Sequence, residues 1–281
     1  MNPVTNNNYS WYNKKISNGV SVISLITDFG LKDNFVGVIK AVILKINPSA
    51  GIIDICHEVK PQDITEAAFL LMSSYNYFPS GTVHLAVVDP GVGSGRKKIL
   101  VKTKNYFFIG PDNGILSLAL KKETPLKIIQ ITNQRYFLKP VSNTFHGRDI
   151  FAPVCAYVSK DKYNIERFGR RIKSFKELEL PKVNMTPNSL TGEIIYIDRF
   201  GNLISNIDKN ILENFVKNKK FKIDIKGRTI DRLSSSYSEG SYLKLIALMD
   251  SFNYLEIALN CSSARDYLGV DKGAKIKITR G

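Results

Sequence analysis

Three short stretches place chemically capable side chains where the chain leaves a β-rich run. In "TDFGLKDN", Thr27, Asp28 and Asp33 surround Gly30; in "VVDPGVGSGR", Asp89 and Arg96 flank a run of glycines; in "SNTFHGRD", Thr144, Phe145, His146, Arg148 and Asp149 precede an apolar run. A carboxylate can orient an imidazole and a guanidinium can tune it electrostatically, which is what a base acting near neutral pH needs. Asp89, Arg96 and His146 are the candidate catalytic set if they meet at one sheet edge, with Arg96 expected to keep the imidazole neutral by like-charge repulsion. Each residue also has a structural alternative: an aspartate after a strand forms turns, and a single histidine serves a core. Gly91, Gly93 and Gly95 suit any turn that needs positive φ. Lacking a GK[ST] ending and opening no helix, the run is not a nucleotide-phosphate cradle. His57, His84 and His146 lack metal-ligand spacing, so no metal is expected, and Cys56, Cys155 and Cys261 are too scattered for a disulfide framework or a zinc knuckle.

Such residues need a scaffold, and the hydrophobic pattern supplies one. "SVISLITDF", "AGIIDICHEV" and "TVHLAVVD" read as strands, alternating with helices at "NFVGVIKAVILKI" and "DITEAAFLLMSSYNYF", the second with Asp63 or Thr65 near its N-cap. This alternation means parallel pairing, and in open α/β sheets ligands lie beyond the carboxyl ends of the strands. "KKILVKT" and "YFFIGP" read as a hairpin, "GILSLALKK" as a short helix, "LKIIQIT" as a strand, and "GRDIFAPVCAYVSK" as a helix with Pro153 in its early turns. Beyond "LPKVNMTPNS", five strand-like runs from "GEIIYIDRFGNLISNI" to "AKIKITR" point to a small antiparallel β domain or barrel. The expected organisation is a flexible extension over residues 1–20, an α/β domain with a central, mostly parallel sheet over 21–180, a linker over 181–189, and a smaller all-β, barrel-like domain over 190–281.

The chain has 281 residues, and its 40 Lys and Arg against 25 Asp and Glu give a net charge of +15, a field that favours anionic partners. The lysines are scattered, however, and the densest run, from Lys217 to Arg228, is interleaved with strand residues rather than aromatics. Nucleic acid is therefore not the expected partner, and a basic RNA-associated binding protein is the alternative from another class. No apolar run reaches the roughly 18 residues of a membrane helix. The Asn-rich opening lacks the apolar segment of a secretory signal, so a cytoplasmic protein is expected.

Five ordered blocks, "ITDFGLKDNFVGVIKA", "VVDPGVGSGR", "GPDNG", "TFHGRDIFAP" and "IDRFGN", together resemble the S-adenosyl-L-methionine hydroxide adenosyltransferase family, relatives of fluorinase and chlorinase. The resemblance implies that water or hydroxide displaces methionine from ribose C5′ of S-adenosyl-L-methionine, giving adenosine and L-methionine, with no metal or organic cofactor. The family's Asp-Arg-His set, associated with the nucleophilic water, matches Asp89, Arg96 and His146. Asp28 resembles the carboxylate that holds the ribose hydroxyls, Asp33 a residue near the methionine amino group, and Thr144 and Phe145 the walls close to C5′. In the second domain Asp198 and Asn202 resemble methionine-end contacts, Phe200 an aromatic contact, and the segment around Asn260 the neighbours of the adenine edge. The resemblance further implies a homotrimer, with the ligand between the first domain of one chain and the second domain of its neighbour.

One departure separates this chain from the halogenating relatives. Gly147 stands where fluorinase has a halide-binding serine, and His146 where it has a tyrosine. Without that hydroxyl a fluoride has less to replace its water shell. Water is the expected nucleophile, and a chlorinase-like halogenase is the alternative within the class.

Overall fold

The computed structural model describes residues 21–162, 164–217 and 219–280, which form two compact units divided after Leu178. The extension expected over residues 1–20 lies outside the described residues.

The first unit opens with β1 (Val22–Thr27), whose last five residues are buried, as a strand covered on both faces requires. Helix α1 (Phe35–Ile46) buries Val36, Ile39 and Ile43, three and four positions apart on one face. It ends at Asn47 because the residue before a proline, here Pro48, disfavours helical geometry. After β2 (Gly51–Cys56), helix α2 (Ile64–Ser74) starts on Asp63, whose carboxylate accepts from Glu66 N at 2.9 Å. Then follow β3 (Val83–Val87), the hairpin β4 (Lys98–Lys102) and β5 (Phe107–Pro111), α3 (Ser117–Lys122) and β6 (Lys127–Ile131). A π-helical turn over Gly147–Phe151 leads into α4 (Ala152–Lys160), and β7 (Gly169–Ile172) closes the unit.

The strand order is β2-β1-β3-β5-β4-β6-β7. Pairing is parallel from β2 to β5 and antiparallel from β5 to β7, because the β4-β5 hairpin reverses direction. Strand β7 was not expected: "GRRI" has no apolar alternation and pairs only at the sheet edge. Side chains alternate across the sheet. Ile23 and Leu25 pack with α1 and α4 on one face, and Ile26 packs with α2 and α3 on the other.

The second unit contains β8 (Asn184–Met185), β9 (Ser189–Ile197), β10 (Leu203–Asp208), α5 (Lys209–Val216), β11 (Phe221–Ile225), β12 (Arg228–Ile230), β13 (Leu245–Met249), β14 (Tyr254–Leu259), α6 (Ala264–Leu268) and β15 (Lys275–Arg280). The order β12-β11-β15-β9-β10-β14-β13 is antiparallel at every pairing. A bridge from Leu233, just past β12, to Ala247 of β13 brings the two ends of the sheet together, giving a nearly closed barrel around Leu190, Leu203, Ile223, Ile257 and Ile276.

Candidate active site

Strand register places the first two candidates. β1 and β3 are parallel neighbours with Thr27 opposite Val87, so both strands end at one level and Asp28 and Asp89 leave from the same sheet edge. The glycine run then doubles back, with Val92 N donating to Asp89 O and Ser94 N to Gly91 O, each at 3.1 Å. Of its three glycines only Gly93 has positive φ (78°), and a Cβ there would lie 2.6 Å from the Asn143 carbonyl oxygen. Gly93 thus serves both a left-handed turn and a close approach to the segment that leads into His146.

That approach brings the catalytic candidates together. Arg96 meets Asp89 as a fork, Nε donating to Oδ1 at 2.6 Å and Nη2 to Oδ2, and Nη2 also donates to His146 Nδ1 at 3.0 Å. The Arg96 and Asp89 side chains are only 9% and 6% exposed, and the guanidinium lies over the Phe151 ring at 5.5 Å. Arg96 Nη1 is buried without an acceptor among the described residues. Burial first, then the positive charges of Arg96 and Lys98, holds the His146 pKa below its ordinary value, against the pull of Asp89 and Asp149.

The hydrogen bond also decides the tautomer. A guanidinium only donates, so Nδ1 is the accepting nitrogen and the proton of the neutral ring falls on Nε2. The sequence led us to expect an imidazole free to accept a proton from water. Its lone pair instead faces Arg96.

Arg148 and Asp149 brace the loop. Arg148 Nε donates to Asp149 Oδ1 at 2.6 Å, and the wholly buried Asp149 accepts from Ser142 N at 2.8 Å. Pro153 has no N–H to return to the Asp149 carbonyl, which accepts from Leu138 N at 2.8 Å instead. The helix accordingly begins with the π turn that carries Gly147.

A cavity of about 330 Å³ is lined by Asp28, Asp89, Thr144, Phe145, His146 and Gly147, with Phe29, Phe35, Gln62 and Val92 among its other walls. Asp28 accepts from Gln62 N at 2.9 Å through Oδ2. Phe29, Phe35 and Phe145 form a cluster with centroids 5.2 to 5.9 Å apart, in which Phe145 meets both of the others edge to face. A Cβ on Gly147 would meet Ile39 and Phe145 at 3.3 Å and Phe29 at 3.4 Å, so this wall is tight against any side chain. Asp33 is exposed and is not among the lining residues. Phe29, Phe35 and Gln62 were missed by sequence reasoning; the aromatics within "TDFGLKDNF" pointed to the first two, and nothing in the local sequence pointed to Gln62.

In the second unit a cavity of about 520 Å³ gathers Asp198, Phe200, Asn202 and Asn260 with Tyr237, Cys261 and Ser263. Asp198 is engaged by its own loop: Oδ1 accepts from Phe200 N and Asn202 N, and Oδ2 from Asn202 Nδ2, each at 2.9 Å. Phe200 is 76% exposed, whereas Asn202 is buried. Asn260 Nδ2 donates to Gly240 O at 2.6 Å. Tyr237 was not anticipated; its hydroxyl donates at 2.8 Å to Glu256, a buried carboxyl whose pKa desolvation raises to about 7.

The other two histidines are internal. His84 stacks on Phe108 with centroids 5.0 Å apart, bonds Ser24 Oγ at 2.7 Å, and is pushed by burial down to about 3. His57 is likewise buried, against Thr27 and Asp54. Among the described residues no group of three or more His, Cys, Asp or Glu is arranged to hold a metal ion, and no helix is long and apolar enough to cross a membrane.

The chain matches known proteins along most of its length. It is 37% identical over 270 residues to the (R)-S-adenosyl-L-methionine hydrolase of Methanocaldococcus jannaschii, covering 92% of this chain and 96% of that protein. A crystal structure of an uncharacterised conserved protein from Thermotoga maritima superposes with a TM-score of 0.85 at 37% identity, covering 92% of this chain and all of that one. The fluorinase of Nocardia brasiliensis stands further off, 23% identical over 295 residues, covering 92% of this chain and 97% of that protein. Residues 23–169 match the SAM hydroxide adenosyltransferase N-terminal domain and residues 192–277 the C-terminal domain, so the chain belongs to the SAM hydroxide adenosyltransferase family.

Proposed function

We infer that the protein hydrolyses S-adenosyl-L-methionine to adenosine and L-methionine. The observation that carries this reading is the Asp89-Arg96-His146 array at the wall of a cavity that also holds Asp28. Asp89 uses both oxygens to orient Arg96, and Arg96 fixes the His146 ring. His146 lines the cavity and its Nδ1 is held by Arg96, so the Nε2–H is the donor that the ring has left to offer. A donor holds hydroxide better than water, because a hydrogen bond to an ionised acceptor is roughly twice as strong as a neutral one. The water's proton then leaves to solvent, and the resulting hydroxide stays in place as the acceptor of the Nε2–H hydrogen bond. That oxygen forms a bond to C5′ while the C5′–S bond breaks, its electron pair passing to sulfur. Methionine departs as a neutral thioether, so the reaction needs no general acid and calls on no metal or organic cofactor.

Asp28 holds the ribose hydroxyls in this reading, a task suited to an acceptor-only carboxylate, while Thr144 and Phe145 flank C5′. Asp33, exposed in this structure, would reach the methionine end only from outside the cavity. By the family resemblance, Asp198, Phe200, Asn202 and Asn260 of a neighbouring chain serve the remainder of the substrate. By the family resemblance, the enzyme works as a cytoplasmic homotrimer.

The crowding at Gly147 favours water over halide, since the wall offers no hydroxyl there and has little room for one. The test is incubation with S-adenosyl-L-methionine in chloride and in fluoride buffers, with chromatography of the products. Adenosine and methionine in equal amounts are expected; a 5′-halogenated nucleoside formed at a comparable rate would replace this reading with the halogenase.

A further inference from the structure

The buried His57 has no part in the chemistry above, yet it is bonded through Nδ1 to the end of the strand that leads to Asp28. Thr27 Oγ1 lies 2.8 Å from His57 Nδ1, and His57 Nε2 lies 3.1 Å from Asp54 Oδ1. Nε2 has no aligned hydrogen bond among the described residues, but a proton there is drawn to the Asp54 charge; Nδ1 then accepts the Thr27 hydroxyl proton, and Thr27 Oγ1 takes the N–H of Phe29 at 3.3 Å. Lys40 of α1 donates to the other Asp54 oxygen at 2.5 Å. A bulge in β2 makes this line possible. The pairing shifts between Leu25 opposite Asp54 and Ile26 opposite Cys56, so residues 54 and 57, which an unbroken strand would point to opposite faces, meet on one side.

The segment that begins at His57 grips the turn after β1 at three further points. Gly30 N donates to His57 O at 2.8 Å, Leu31 N to Glu58 Oε1 at 3.0 Å, and Gln62 N to Asp28 Oδ2 at 2.9 Å. Thr27 is the last residue of β1, directly before Asp28. We propose that His57, with Thr27 and Asp54, is a positioning residue for substrate binding, locking the turn that presents Asp28 to the cavity. The proposal rests on the reading of Asp28 as the ribose-binding carboxylate.

Thr27→Val keeps the shape and removes the hydroxyl, and Thr27→Ser restores it. Substrate dissociation constants, KM and kcat are measured on each, with folding checked by circular dichroism. Thr27→Val is expected to raise Kd and KM about tenfold, the size of one lost hydrogen bond, with kcat within about twofold of the parent, and Thr27→Ser to recover the affinity. In an Asp28→Ala background Thr27→Val is expected to add nothing to Kd, since both act through one carboxylate. Asp54→Ala removes a partly exposed acceptor, so it tests the same line if Thr27→Val does not fold, and a smaller rise in Kd is expected. Unchanged affinity in folded Thr27→Val and Asp54→Ala proteins, or full additivity with Asp28→Ala, overturns the positioning role alone. Unchanged affinity in Asp28→Ala overturns the ribose reading and the proposal with it.

Discussion

The two units each bury a titratable group beside a cavity, and the same cause drives them in opposite directions. Desolvation disfavours charge, so it lowers the pKa of His146 in the first unit and raises that of Glu256 to about 7 in the second. The partners differ as well. His146 is held by Arg96, a cation fifty positions away in sequence that is itself forked onto Asp89. Glu256 receives a neutral phenol from Tyr237, and the nearby Asp198 spends its carboxylate on its own turn. A concentrated pair of opposite charges with a neutral ring beside it suits a site that must stabilise an anionic nucleophile. In the second unit the carboxyl titrates close to neutrality and the neighbouring loop satisfies its own polar groups, so no comparable fixed charge is concentrated there.

The largest break in this contrast comes from removing the cation. Arg96→Met is expected to lower kcat/KM about 10²- to 10³-fold, and to destabilise the chain by about 3–5 kcal/mol because Asp89 is left buried and unpaired. Combining it with Asp89→Asn is expected to recover most of the stability and none of the activity. Urea denaturation alongside steady-state kinetics separates the two effects.

A smaller change tests the second unit. A carboxyl whose folded pKa lies above its unfolded value is favoured in the protonated form. The stability it contributes is fully present at low pH and is lost as pH rises from the ordinary glutamate value of 4.5 through about 7. Glu256→Gln keeps an acceptor for Tyr237 and cannot ionise. Its Tm relative to the parent is expected to climb between about pH 5 and pH 8; a difference that stays constant across that range would mean Glu256 is ionised throughout.

The smallest effect sharpens the first unit. His146 has a lowered pKa, so its neutral form persists below the usual histidine range, and activity is expected to fall only when acid protonates Nδ1 and turns it against Arg96. Lys98→Met removes one of the charges holding that value down, so the acidic limb of the kcat/KM profile should move to higher pH. Activity near neutrality should stay within about twofold. An unmoved limb would assign it to another group.

The strand and helix pattern, the parallel half of the first sheet, the barrel of the second unit and the family were legible in sequence, because alternation, helical spacing and turn chemistry are local properties. Asp28, Asp89, Arg96 and His146 were named from strand exits and motif blocks in the same way. Other features depended on what lies across space from a residue. Strand β7 forms because β6 offers it an edge, not because "GRRI" prefers to be a strand. Phe29 and Phe35 reach the cavity through packing with Phe145. Asp33, one helix entry away from Asp28, stays exposed.

The sequence by itself determined which groups are available: a carboxylate, a guanidinium and an imidazole at strand exits, with a glycine in place of a hydroxyl residue at 147. Only the tertiary structure decided what each one can do. Gly93 lets the 89–96 loop touch the chain before His146, and the resulting Arg96 bond to Nδ1 leaves the neutral ring a donor at Nε2. A residue's type fixes its capacity to donate or accept, and the direction in which that capacity is used depends on a partner that sequence spacing does not reveal.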